Sequence, residues 1–140
     1  MQKIIIRMLL LLFVIVACNS DDDVTTACDQ FIIVSDTQFE NAPKDPVTIN
    51  SAIINDDCIT INFSAGGCDG DSWEVKLIDS GGVSFSLPPQ RNLRLSLKNE
   101  ELCEAFITRE LTFDIGALQV SGNQVLLNIQ NFDQQILYEY

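Results

Sequence analysis

Histidine is absent from this chain, and cations are scarce: 8 lysines and arginines stand against 20 aspartates and glutamates. The first absence rules out Ser-His-Asp and Cys-His catalytic arrangements and most zinc sites. The second leaves a formal net charge of −12, so nucleic acid and anionic headgroups are repelled. No CxxC pair occurs, and with many carboxylates and few cations nothing lowers a thiol pKa. Nor is there an apolar run of the about 20 residues that a transmembrane helix needs. Low-complexity sequence is confined to one short aspartate run.

What is there begins with an address. Met1-Gln2-Lys3 and Arg7 precede ten apolar residues, Met8 to Ala17, the pattern of a secretory signal peptide. Ile15-Val16-Ala17-Cys18 resembles the lipobox of bacterial lipoproteins. The resemblance implies that the Cys18 sulfur is acylated and becomes the mature N-terminus; the alternative is an ordinary signal peptide with a chance cysteine. Each buried methylene contributes about 0.8 kcal/mol, so two or more acyl chains hold firmly where one is marginal. Asn19-Ser20-Asp21-Asp22-Asp23 has nothing apolar to bury and reads as a solvated tether. It is also similar to the acidic export signal of Bacteroidota lipoproteins, which implies an outer-membrane protein facing the cell exterior. A plain linker kept extended by its charge is the alternative. Without Lys3 and Arg7 the mature side-chain balance is −14. The expected organisation is a signal peptide over 1–17, lipidated Cys18 and tether over 18–27, and one β-domain over 28–140. A domain of this size buries roughly two-thirds of its unfolded surface.

Beyond the tether the chain reads as strands, with almost no convincing helix. Ile59, Ile61 and Phe63 alternate with polar residues, as do Trp73, Val75 and Leu77, then Val83, Phe85 and Leu87. Leu93-Arg94-Leu95-Ser96-Leu97-Lys98 puts three leucines in and three polar residues out, as a half-buried antiparallel strand does. Further strands are expected over 31–34, 49–54, 105–113, 125–129 and 136–140. Asn55-Asp56-Asp57 and Ser121-Gly122-Asn123 punctuate them, and Ser80-Gly81-Gly82 is expected to close a hairpin. Pro88-Pro89, unable to donate to a ladder, marks an edge or a crossover between sheets. Ile115 to Leu118 would form one helical turn capped by Asp114. The fold class expected is all-β, an antiparallel β-sandwich, immunoglobulin-like or related, with a closed β-barrel as the alternative.

Four cysteines remain after Cys18: Cys28, Cys58, Cys68 and Cys103. An even count in an exported chain favours two disulfides, with three pairings available. Cys58 and Cys68 flank an extended run at about 3.3 Å per residue, whereas bridged Cα atoms must lie within about 7 Å. Of the pairings left, Cys28–Cys58 with Cys68–Cys103 is preferred.

Gly66-Gly67-Cys68-Asp69-Gly70-Asp71-Ser72-Trp73-Glu74-Val75 resembles the GGC-x-x-H-x-F-x-L segment of an uncharacterised Bacteroidota lipoprotein family. Pro88-Pro89-Gln90, Leu93-Arg94-Leu95, Cys103-Glu104-Ala105-Phe106-Ile107 and Leu111-Thr112-Phe113-Asp114 resemble its second half. The resemblance spans 58–118 and implies that Cys68 and Cys103 pair. Asp71 stands where that family has histidine, and Trp73 where it has phenylalanine, so any chemistry of that histidine is lost here.

Asp69 and Asp71, in a glycine-containing loop beside Trp73, form the best local carboxylate cluster. They suit a solvated turn or a weak calcium site; the twelve-residue calcium-loop spacing is missing. Asn99-Glu100-Glu101 with Glu104 is a second acidic group, which a Cys68–Cys103 bridge would bring close to the first. Trp73 reads as core before ligand platform. Three functions fit: a non-enzymatic binding or structural module for an unknown protein or glycan, a metal-dependent hydrolase using the acidic loops, or a protease inhibitor with Pro88-Pro89 in its exposed loop.

Overall fold

Alternation in the middle of the chain sets up two facing apolar surfaces. The computed structural model describes residues 27–140; the expected signal peptide, Cys18 and the aspartate tether lie outside the described residues. In chain order the elements are β1 Gln30–Phe31, β2 Ile33–Val34, helix α1 Asp36–Asn41, β3 Thr48–Asn55, β4 Cys58–Gly67, β5 Glu74–Ser84 and β6 Gln90–Lys98. They continue with β7 Ala105–Asp114, a single 3-10 turn Gly116–Leu118, β8 Gln124–Ile129 and β9 Gln135–Glu139. One sheet has the order β1-β7-β4-β3 and the other β2-β5-β6-β8-β9. The core between them holds Ile59, Ile61 and Phe63 from β4, Leu93, Leu95 and Leu97 from β6, and Phe113 from β7. Among the described residues both sheets end in edges with no further strand partner, so the fold is a sandwich and not a closed barrel.

The sheets are mixed. Hairpins and the long β4–β7 pairing are antiparallel, but β1–β7, β2–β5 and β6–β8 run parallel. The cause is topological: β7 crosses to the other sheet and returns the chain, so β8 re-enters beside β6 in the same direction. The expected single strand over 31–34 is split at Ile32, whose side chain enters the core; its N–H reaches Asp114 O at 3.0 Å before the chain changes sheets.

Ser80-Gly81-Gly82 does not close a hairpin. β5 runs through it with a bulge between Asp79 and Val83, and the turn lies five residues on, at Phe85–Pro89. Pro88-Pro89 therefore sits in a hairpin turn, neither an edge nor a crossover, where no ladder N–H is required. Phe85 and Leu87, expected to face the core with Val83, are fully exposed, at 103% and 100%.

Helix α1 carries no periodic apolar face and buries no residue. It exists because Ser35 caps it, its Oγ accepting from Gln38 N at 3.2 Å, and because β6 holds its far end. Arg94, expected to point into solvent, is covered by this helix. It donates to the carbonyls of Gln38, Phe39, Ala42 and Pro43 at 2.7–3.2 Å, tying down the helix C-terminus and the chain that leaves it. Ser96 is buried beside it, donating to Pro43 O at 2.8 Å. At the 3-10 turn Ile115 occupies the cap position, while Asp114 Oδ1 accepts from Gly116 N at 2.9 Å.

The molecule has two distinct ends. At one, the β4–β5 and β6–β7 connections pass between the sheets; Gly67 pairs with Ala105 there. At the other lie the β3–β4 turn, the β5–β6 turn and the incoming chain, tied by Cys28–Cys58. Tyr138 closes this second end from β9. Its hydroxyl donates to Asp57 and accepts from Gln119 Nε2; burial first, then the Asp57 carboxylate, pushes it up to about 12.

Candidate functional site

The first end is a cradle built from two loops that are distant in sequence. Residues 68–73 leave β4 and residues 99–104 leave β6, and Cys68–Cys103 joins them with Cα atoms 4.8 Å apart. Glu101 completes the join. Its carboxylate accepts from Cys68 N at 2.6 Å, Asp69 N at 3.3 Å, Gly70 N at 3.1 Å and Ser72 Oγ at 2.8 Å. Asn99 aims it, accepting from Glu101 N at 3.0 Å while its own amide donates to Gly66 O at 2.6 Å.

Two glycines are required for this closeness. A Cβ on Gly67 would stand 2.4 Å from Glu101 Oε2 and 2.9 Å from the Trp73 ring. Gly70 has φ +76° and lies over the same indole. Trp73 is thus a floor for the cradle, packed on Phe63 at 6.2 Å between centroids, with Nε1 buried without a protein partner.

The electrostatics of the cradle run opposite to a cation site. Successive N–H groups of residues 68–70 point inward, a nest that suits an anion, and the Glu101 carboxylate is that anion. Desolvation pushes Glu101 up, but the donors on Cys68, Ser72, Gly70 and Asp69 together outweigh it and hold the carboxyl at about 2. Asp69 and Asp71 are brought into the same loop but do not share a ligand position. Asp69 Oδ1 accepts from Asp71 N at 2.9 Å, and Asp71 Oδ1 pairs with Arg109 Nη1 at 2.7 Å. Among the described residues no group of three or more aspartates, glutamates or cysteines is disposed to hold a metal. Glu100 and Glu104 stay on the exposed rim, as does Asp69.

Glu101 gives the cradle a pH signature. Its folded pKa of about 2 lies below the ordinary 4.5, so its stabilisation is complete above pH 4.5 and is lost as pH falls toward 2. Glu101→Gln should melt below the natural protein at neutral pH, and the two melting curves should converge across that acid window. Curves that stay parallel would mean the carboxylate is not what the cradle binds.

Sequence reasoning found this acidic pair of loops but missed the part that matters most. Leu102, between Glu101 and Cys103, is 96% exposed, and Phe106 just beyond it is 72% exposed. The only sequence signal was a leucine placed inside an acidic loop, with no strand partner to bury it. Beside Phe106 runs a groove of about 330 Å³, lined by Asp45, Thr48, Ser64, Gly66 and Asn131.

No family model matches the chain, and no curated protein matches it. Two solved structures are similar to it in part. A protein of unknown function, DUF1344, from Bacteroides vulgatus superposes with a TM-score of 0.52 at 14% identity, covering 79% of this chain and 56% of its own. A protein described as toxin-related, from Parabacteroides distasonis, gives 0.49 at 15% identity, covering 78% and 60%. The chain spans little more than half the length of either. Identity this low carries a fold and no activity, so the first of these likenesses is one of β-architecture alone.

Proposed function

We propose that this protein is a lipid-anchored, surface-exposed, non-enzymatic binding module. Cys18 holds it to the outer membrane, and the cradle end is presented to a protein partner. One observation carries the binding reading: Leu102 is an exposed leucine on a loop that cannot yield. Glu101 before it is held by four donors and Cys103 after it by a disulfide. An apolar side chain fixed in water is organised for a socket before the socket arrives, which lowers the entropic cost of binding. Exposed Glu100 and Glu104 flank it in the chain, so the partner surface is an apolar pocket with a basic rim.

The anchor and the binding end are tested separately. Cys18→Ala should move the chain from the membrane fraction to the soluble one; a variant that still pellets with membranes refutes acylation. For the binding end, a diazirine side chain at position 102 of the full chain on intact cells should yield one crosslinked protein. That species should weaken as salt rises and vanish when Glu100 and Glu104 become lysine. A crosslink indifferent to both treatments, or a chain that binds oligosaccharides instead, defeats the protein-partner reading. The same rigid 100–104 loop is the better location for an inhibitory segment than Pro88-Pro89, and protease inhibition abolished by Leu102→Gly would favour that second reading.

A further inference from the structure

At the end opposite the cradle, the β5–β6 turn carries a second exposed apolar pair, Phe85 and Leu87, at 103% and 100%. The segment around it differs from the rest of this acidic chain: Ser80 to Gln90 contains no charged residue. Part of its backbone polarity is also removed or turned inward. Pro88 and Pro89 have no N–H, Ser86 turns its N–H to Ser84 O at 3.0 Å and its hydroxyl to Pro88 O at 2.6 Å, and Pro89 O accepts from Leu126 N at 2.8 Å. An uncharged tip with two apolar side chains outward suits the headgroup boundary of a bilayer, where apolar side chains are buried and the remaining backbone groups still meet water.

The described residues start at this same end. Residues 1–26 lead into Cys28, which is bonded to Cys58 at the β3–β4 turn. Leu87 lies eight residues past Asp79, where β2 of the incoming chain meets β5, and three past the end of that strand, so the tip stands at most about 26 Å beyond the point of entry at 3.3 Å per residue. The ten residue steps from Cys18 to Cys28 reach up to about 36 Å. Cys18 and the tip are therefore able to meet one surface while the cradle faces away from it.

We infer that Phe85 and Leu87 dock into the interface of an electrically neutral bilayer and set the orientation of the anchored domain. This rests on the anchor reading above, and the test supplies its own anchor so that the two fail separately. The core and both disulfides of the described residues lie within 27–140, so a chain of residues 19–140 contains them all. That chain, with an N-terminal hexahistidine, is held on phosphatidylcholine vesicles containing nickel-chelating lipid; it has no histidine of its own to compete. In a Phe85→Trp variant, brominated phosphatidylcholine should quench the new indole to about half and shift its emission to the blue, as for a ring a few ångströms into the headgroup boundary. Trp73, at the cradle, should be unaffected in the natural sequence, and adding Leu87→Ser to Phe85→Trp should weaken the quenching. An unquenched Trp at position 85 on vesicle-bound protein overturns the inference, whatever Cys18 does. Self-association abolished by Phe85→Ser also overturns it, by assigning the tip to a second copy of the chain.

Discussion

Arg91→Met should destabilise the fold by about 3–5 kcal/mol, whereas Asp79→Leu together with Arg91→Met should recover most of that loss. The two side chains form an ion pair of 2.9 Å with 10% and 0% of their surfaces exposed. Arg91 shares the strand parity of Leu93, and Asp79 that of Leu77, so both lie on the core side of their sheet. The pair is imperfect: Asp79 Oδ2 and Arg91 Nε have no protein partner. Removing one member strands a buried charge; removing both removes the desolvation penalty with them. Burial pushes the Asp79 carboxyl up, against the Gly81 N–H and Arg91, so ionising it weakens the fold as pH rises. Urea unfolding of the four proteins at neutral pH closes the cycle. A loss below about 1 kcal/mol for Arg91→Met would mean the pair behaves as a solvated one.

That pair also explains which parts of the fold the sequence made legible. Strict alternation in Ile59–Phe63 and Leu93–Leu97 announces strands because a half-buried strand has only one way to place such residues. Asp56, with φ 52°, makes a tight turn where a run of Asn and Asp is expected to make one. Alternation says which way a side chain points, however, not what lies above it. Arg94 and Ser96 do point away from the leucines, yet a six-residue helix too short to show a period covers them. The Ser80-Gly81-Gly82 misreading has a similar origin. Glycines permit a turn or a bulge, and Asp79 decides for the bulge by accepting from Gly81 N at 2.7 Å. At the candidate site, composition identified two acidic loops and could not separate a carboxylate that seeks a cation from one that satisfies backbone donors. Only the inward turn of residues 68–70 makes that distinction.

Removing both Cys68 and Cys103 as alanines should destabilise the protein by about 3–4 kcal/mol on the chain-entropy account, from a sequence separation of 35. The second disulfide supplies the control. Cys28–Cys58 closes a separation of 30, and the logarithm makes the two unfolded-state contributions equal to within about 0.1 kcal/mol. Any larger deficit for the cradle pair must arise in the folded protein, from loops that the bridge holds in place. Glu101 argues that little such deficit exists, since its carboxylate already binds Cys68, Asp69 and Gly70. Equal losses are therefore expected, with Leu102 still presented and its crosslink retained below the melting temperature. The combination with Glu101→Gln should be worse than the sum of its parts, because the two ties hold the same loop. If the cradle pair costs far more than Cys28–Cys58 while Glu101 is intact, the disulfide and not the carboxylate is what keeps Leu102 rigid. The binding end would then come apart under reducing conditions.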